Sequence, residues 1–231
     1  MTVELTLYAF LDALATIGCH TPHAIFSGGA RYVPPSATDR VAAETFDELA
    51  AAGLTEGTRL KPEFEDVLHV FARPHTEYFA HVRAGDEQYH SLVAARGRSV
   101  VVAVRTGNQV HLDTSAARDL PAVLVDTLPP ADVPVFDPFR VPTHQLREEP
   151  DGPEGEDLHD LFSRPEHGLG YLRVARHPDG GERVEADSVV CYLDVDLGRV
   201  GLHRDGDHIT VFPGSPDGLA SRVTRLRATL D

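Results

Sequence analysis

Residues 200–212 read VGLHRDGDHITVF, two apolar-rich runs joined by Asp205-Gly206-Asp207. Residues 101–113 read VVAVRTGNQVHLD, with Thr106-Gly107-Asn108 at the joint, 99 positions earlier. Glycine beside Asn or Asp between two apolar runs is a hairpin signal. At this offset the pattern matches without a gap from Val101/Val200 to Leu120/Leu219. The likeness lies in the pattern and not in the letters.

Working outward, the first hairpin is preceded by TEYFAHVRA (76–84), stopped by Gly85-Asp86, and by EQYHSLVAA (87–95), stopped by Arg96-Gly97-Arg98. It is followed by Leu120, Val123, Leu124 and Leu128 at helical spacing. The second hairpin repeats this order. GYLRVARH (170–177) turns at Pro178-Asp179-Gly180, ERVEADSVVCYLDV (182–195) turns near Gly198, and a helix carries Leu219, Val223 and Leu226. Four strands and a helix, twice, predict a duplicated meander–helix unit. Two half-covered sheets bury more surface when they join. The expected fold class is therefore α+β: a pseudo-twofold duplicated unit forming a central antiparallel β-sheet flanked by helices. Val100–Val104 lacks polar alternation and predicts a strand covered on both faces.

The N-terminal third reads as helices. Thr6 caps a stripe of Leu7, Phe10, Leu11, Leu14 and Ile17, with Gly18 as its stop. His23–Phe26 and Tyr32-Val33 read as short extended pieces. Ser36 with Asp39 resembles a capping signature opening a helix through residues 39–54, and Pro62 starts another with Phe64, Val67, Leu68 and Phe71 on one stripe. The organisation predicted is one compact domain of two subdomains. Residues 1–128 hold the N-terminal helices and the first unit, and 161–231 hold the second. Residues 129–160 form a connector, rich in proline and then acidic, exposed and partly disordered around Glu148–Asp157.

Composition narrows the function. The 231 residues carry 21 Lys+Arg against 36 Asp+Glu, a net charge of −15, with Lys61 the only lysine. That balance argues against nucleic acid and against an anionic membrane surface. Cys19 and Cys191 make no disulfide framework and read as reduced thiols. The N-terminal sequence shows no basic leader, and its apolar stretch is broken by Asp12 and too short to span a bilayer. The expectation is a soluble cytoplasmic protein.

Catalytic and metal constellations are weak. His20 and His23 make an H-x-x-H, but Pro22 intervenes and no metal site is expected. Asp194 and Asp196 flank Val195, a spacing that puts two strand carboxylates on one face and permits acid/base work. A solvated strand end is the preferred explanation, and the oxygen ligands and closing glutamate of a calcium loop are missing. Gly28-Gly29 lacks the third glycine and helix start of a phosphate loop. No nucleophile elbow, Walker loop, H-E-x-x-H or dinucleotide fingerprint occurs. No cofactor and no catalytic residue is assigned.

Several tracts, in order, resemble the EspG family: DRVAAETFDELAAAGL (39–54), LKPEFEDVLHVFARP (60–74), AARGRSVVVAVRTGNQVHL (94–112), GLGYLRVARHPDGG (168–181) and the Asp194…Gly198-Arg199…Pro213 tract. The likeness runs from about Leu5 to Leu230. It implies a pseudo-twofold α+β fold and the role of a cytosolic chaperone of ESX (type VII) secretion. Such proteins bind the aggregation-prone tip of the PPE protein in a PE–PPE heterodimer. The resemblance thus implies a secreted PE–PPE-like or other helical-hairpin client. The charge balance and the short N-terminal apolar stretch add the expectation of no nucleic acid and no membrane insertion, and monomer and homodimer both stay open. Family members usually carry a longer helical segment between the two units, where this chain has REEPDGPEGED (147–157).

The partner-facing residues are expected on the outer side of the second unit's strands. Tyr171 and Arg173 would stand on one strand, Tyr192 and Asp194 on the next, and Phe162 nearby, since aromatics and arginine anchor interfaces. Two rival readings remain at this stage. One is a generic α+β binding or structural protein; the other is an uncharacterised enzyme using Asp194, Asp196 and neighbouring histidines.

Overall fold

A computed structural model describes residues 1–28, 33–146, 150–178 and 181–231. Tyr32, Gly29, Glu148 and the Asp179-Gly180 part of the anticipated turn lie outside the described residues. From the N-terminus the chain forms β1 (Thr2–Thr6), α1 (Leu7–Thr16), α2 (Thr38–Ala51), β2 (Thr55–Glu56), β3 (Arg59–Leu60), α3 (Pro62–Ala72), β4 (Thr76–Ala84), β5 (Glu87–Arg96), β6 (Ser99–Thr106), β7 (Gln109–Ser115) and α4 (Leu120–Val125). It continues through β8 (Phe139–Pro142), α5 (Pro153–Ser163), β9 (Glu166–Arg176), β10 (Val184–Glu185), β11 (Val190–Val195), β12 (Gly198–Asp205), β13 (His208–Pro213) and α6 (Pro216–Ala228). The fold class is α+β, with antiparallel strands throughout.

Two compact units divide the chain. The first comprises Met1–Glu77, Tyr89–Arg118 and His177–Glu182; the second comprises Tyr78–Gln88, Asp119–Arg176 and Arg183–Asp231. In the first unit the ladder runs β1-β7-β6-β5. Thr6 ends β1 and caps α1: its hydroxyl accepts from the Ala9 N–H at 3.2 Å and donates to Glu48 of α2 at 2.8 Å. The core gathers Phe10 of α1, Phe26 and Phe71 of α3. In β6, Val101 and Ala103 are buried while Val102 and Val104 are half-buried, so the anticipated two-sided cover is complete on one face only.

In the second unit the ladder runs β4-β9-β11-β12-β13-β8, with β10 beside β9. α4 and α6 pack together, α6 lies against β9, β11 and β12, and α5 lies against β8. Leu158 and Leu161 of α5 join Val141, Leu193, Val195, Val200, Ile209 and Val211 in one apolar cluster.

The repeat extends to individual hydrogen bonds. β6 and β12 occupy residues 99–106 and 198–205, the same offset of 99 at both ends. Gly107 and Gly206 take φ of +57° and +60°, the left-handed conformation that a tight hairpin needs and that glycine adopts without steric cost. Each turn is closed identically, Arg105 Nε donating to the Gly107 carbonyl and Arg204 Nε to the Gly206 carbonyl, both at 3.0 Å. The repeat is also longer than the sequence reading. β1 adds to β7 with Thr6 opposite Gln109, and β8 adds to β13 with Pro142 opposite His208. Leu5 and Val141 are thereby buried in matching positions. The contact-defined units cut across this repeat, because α4 and most of β4 fall in the second unit.

Other expectations are corrected. Ala24–Phe26 is a 3-10 turn and not extended. Ser36 caps nothing; it sits in a 3-10 turn, and α2 starts after Ala37 without a side-chain cap. Residues 153–157 of the expected disordered stretch open α5, whose Leu158 and Leu161 are buried.

Candidate protein-binding surface

Strand register decides what the second unit displays, because directly paired residues point to one face. Tyr171 is paired with Cys191, and Cys191 with Leu202. Tyr192 is paired with Gly170 on one side and Gly201 on the other, and Asp194 with Gly168 and Arg199. Tyr171 and Arg173 therefore stand on one face, Tyr192 and Asp194 on the opposite one. This corrects the expectation of a shared outer face. Tyr192 is 1% exposed, its ring lying where a Cβ at Gly170 would stand, as Phe212 lies over Gly201. β11 is a buried strand, so the alternation that marks an outer face does not hold there.

Asp194 is held by Arg199, which is 5% exposed. Arg199 Nε and one terminal nitrogen donate to the two carboxylate oxygens at 2.7 and 2.8 Å, a bidentate pair. The same guanidinium donates to the Pro129 carbonyl at 2.9 Å and lies 4.1 Å from the Tyr192 ring centroid. The Arg199 backbone N–H donates to the Asp132 carbonyl at 2.7 Å. Gly198 leaves space for that approach; a Cβ there would strike the Asp132 carbonyl. The backbone of residues 129–132 is thus fastened to β12, and the residues that follow are carried out over the surface.

Those residues build a groove of about 670 Å³. Val135, Phe136 and Phe139 form one wall, Leu161 and the charged stripe of α5 the other, with Val200, Val211 and Leu197 between. Val135 is fully exposed and Leu197 is 50% exposed. Exposed apolar side chains gathered in one concavity mark a place for a partner. Asp137, Glu154, Asp157 and Asp160 line the same groove, and Arg164, its only cation among the described residues, is paired with both oxygens of Asp196 at 3.1 Å.

Of the five anticipated contact residues, Phe162 and Tyr171 are exposed, at 49% and 45%. Arg173 is ion-paired to Glu185 at 2.7 Å, and Glu185 also takes Arg183 at 2.7 Å. Val133, Val135 and Leu197 were not anticipated. For the two valines the signal was present: lying between Pro129, Pro130, Pro134 and Pro138 they cannot enter a helix or a central strand, so their side chains have no element to bury them.

The other sequence candidates are explained by packing. Asp196 lies past the end of β11, in the turn to β12, so the i, i+2 strand relation does not reach it: Asp194 meets Arg199 while Asp196 meets Arg164. His20 is exposed, and His23 Nδ1 accepts from the Ile25 N–H at 3.2 Å. Among the described residues no three His, Cys, Asp or Glu side chains gather in a metal-binding group. Burial pushes the Cys191 thiol up to about 11, so it stays protonated at neutral pH, and the Cys19 thiol is raised by the same cause.

Two histidines of this unit couple stability to pH. Burial, and then Arg173, push His81 below the usual histidine range against the pull of Glu185; burial, and then Arg222, push His203 down against Asp205. Both resist protonation when folded, and the unfolded chain takes those protons first. Their contribution is complete above about pH 6.5 and is lost as pH falls through the folded values. Urea midpoints should drop between about pH 7.5 and 5.5 in the wild type, and a His203→Gln variant should lose less over the same interval.

Repeated antiparallel units, a segment fastened by Arg199 and an apolar groove define an α+β scaffold that presents a concave surface. The chain belongs to the EspG family, whose profile matches residues 6–225. Among solved structures it is similar to the Mycobacterium tuberculosis type VII secretion system chaperone EspG5, solved in complex with the PE25–PPE41 dimer. The TM-score is 0.72 at 16% identity, over 97% of this chain and 95% of that one. At that identity the likeness establishes the fold. No protein with a curated description matches the sequence. Among the described residues no helix is long and apolar enough to cross a membrane.

Proposed function

We propose that this protein is a cytoplasmic chaperone of a type VII secretion system. In this reading it binds a PE–PPE-like client through the apolar surface of its second unit and keeps that client soluble for export. Membership of the EspG family over residues 6–225 carries this reading. EspG5, which shares the fold, is itself seen holding a PE–PPE dimer. The groove lined by Val135, Phe136 and Leu197 supplies the mixed apolar and polar surface that such binding requires. Phe162 and Tyr171, both exposed, extend the contact surface. Binding of this kind uses no chemistry at the site, in keeping with Asp194 and Asp196 being tied up in separate ion pairs.

Co-expression tests it. PE–PPE-like pairs encoded near this gene should be insoluble alone and should co-elute with this protein as a stoichiometric complex when the two are produced together. Clients equally soluble without it, or no complex with any of them, would remove the proposal.

A further inference from the structure

We infer that the groove between residues 134–139 and α5 takes the apolar face of a partner helix whose flanks carry lysine or arginine. This rests on the chaperone reading and adds the chemistry by which a client is chosen.

The carboxylates are arranged along both walls. On α5, Glu154, Asp157 and Leu161 recur at spacings of three and four, so they line one stripe of the helix, with Asp160 beside it and Arg164 just past its end. Asp137 stands on the wall opposite. Among the described residues none of Asp137, Glu154, Asp157 and Asp160 has an ion-pair partner, whereas Arg164 is already paired with Asp196. An apolar floor with two uncompensated acidic margins complements an apolar stripe bordered by cations. Helix-dipole stabilisation accounts for Glu154 in the first turn of α5, but Asp157 and Asp160 lie beyond that turn. The net charge of −15 adds a long-range field of the same sign, which speeds the approach of a basic partner.

An added strand fits less well than a helix. The neighbouring edge strand β8 is four residues long and ends in Pro142, which has no N–H to offer. The wall it continues contains Pro134 and Pro138, which also lack donors. Recognition must then come from side chains, as when an amphipathic helix lies in a groove.

The test uses the full chain and two labelled helical peptides of about 18 residues, roughly five turns, with one leucine face flanked by lysine or by glutamate. Fluorescence anisotropy should show the lysine-flanked peptide binding at least about tenfold more tightly. Val135→Ser and Leu197→Ser, which leave the net charge unchanged, should each weaken it by about fivefold or more, as expected for anchors in a groove. Asp157→Asn with Asp160→Asn should weaken it and flatten its salt dependence. Equal binding of both peptides, or serine variants that bind like the wild type, would overturn the inference. So would a wild-type dimer that Val135→Ser dissociates, since a second copy would then be the occupant. Failed co-expression with normal peptide binding would remove the chaperone reading alone. A co-expressed complex indifferent to Val135→Ser would remove the groove alone.

Discussion

Replacing Arg199 with alanine is expected to lower the free energy of unfolding by about 3–5 kcal/mol, the range for breaking a buried ion pair by removing one partner. The guanidinium is nearly inaccessible and serves four groups at once: both Asp194 oxygens, the Pro129 carbonyl and the Tyr192 ring. Truncation leaves the Asp194 carboxylate poorly solvated and unpaired, which costs more than the pair itself contributes. Arg199→Lys should rescue little, because an ammonium cannot make the bidentate contact and reach Pro129 together. Asp194→Asn should cost less, since the arginine keeps the carbonyl and the ring. A double-mutant cycle in urea isolates the pair; a coupling near zero would mean that the contacts seen here do not act as a unit. The variant has a second readout. Losing the bond to Pro129 leaves only the backbone N–H of residue 199 on Asp132 to hold this segment to β12, which loosens the wall bearing Val135, so peptide affinity should fall beyond what the unfolded fraction explains.

The Arg199 knot also marks where sequence reading stopped. Hairpins, strand order within each repeat and the helical stripes were legible because they depend on local signals, namely Gly107 and Gly206 at the turns and Leu219, Val223 and Leu226 at helical spacing. β1 was hidden because its alternating residues run into α1 without a break, Thr6 being both the last strand residue and the cap. β8 was hidden by prolines at 134, 138 and 142, which suggest a loop and do not reveal that β13 needed an edge partner. Tyr192 and Asp194 were placed on the wrong face because register between strands is a tertiary property: a shift of one residue exchanges the faces. The exposed Val135 required knowing which segment Arg199 fastens, a contact spanning 70 residues.

Phe10→Ala should be comparably damaging, by about 3–5 kcal/mol, through a different cause. Phe10 is fully buried in the first unit, with its ring 4.7 Å from Phe26 at 56° and 5.5 Å from Phe71 at 87°. Phe26 and Phe71 are themselves 6.1 Å apart and nearly perpendicular, so the three rings form a closed set linking α1, the 3-10 turn at Ala24–Phe26 and α3. Truncation therefore removes buried apolar area and leaves a cavity that three separate elements border, none of which can collapse alone. Phe10→Leu keeps most of the volume and loses the edge-to-face geometry, worth about 0.5–1.5 kcal/mol per ring pair. Its cost should fall clearly below that of alanine. Denaturant midpoints with unchanged slopes give both values. Equal losses for leucine and alanine would show that ring orientation, not volume, holds α1 in place, and a loss below about 1 kcal/mol for alanine would show that the site relaxes freely.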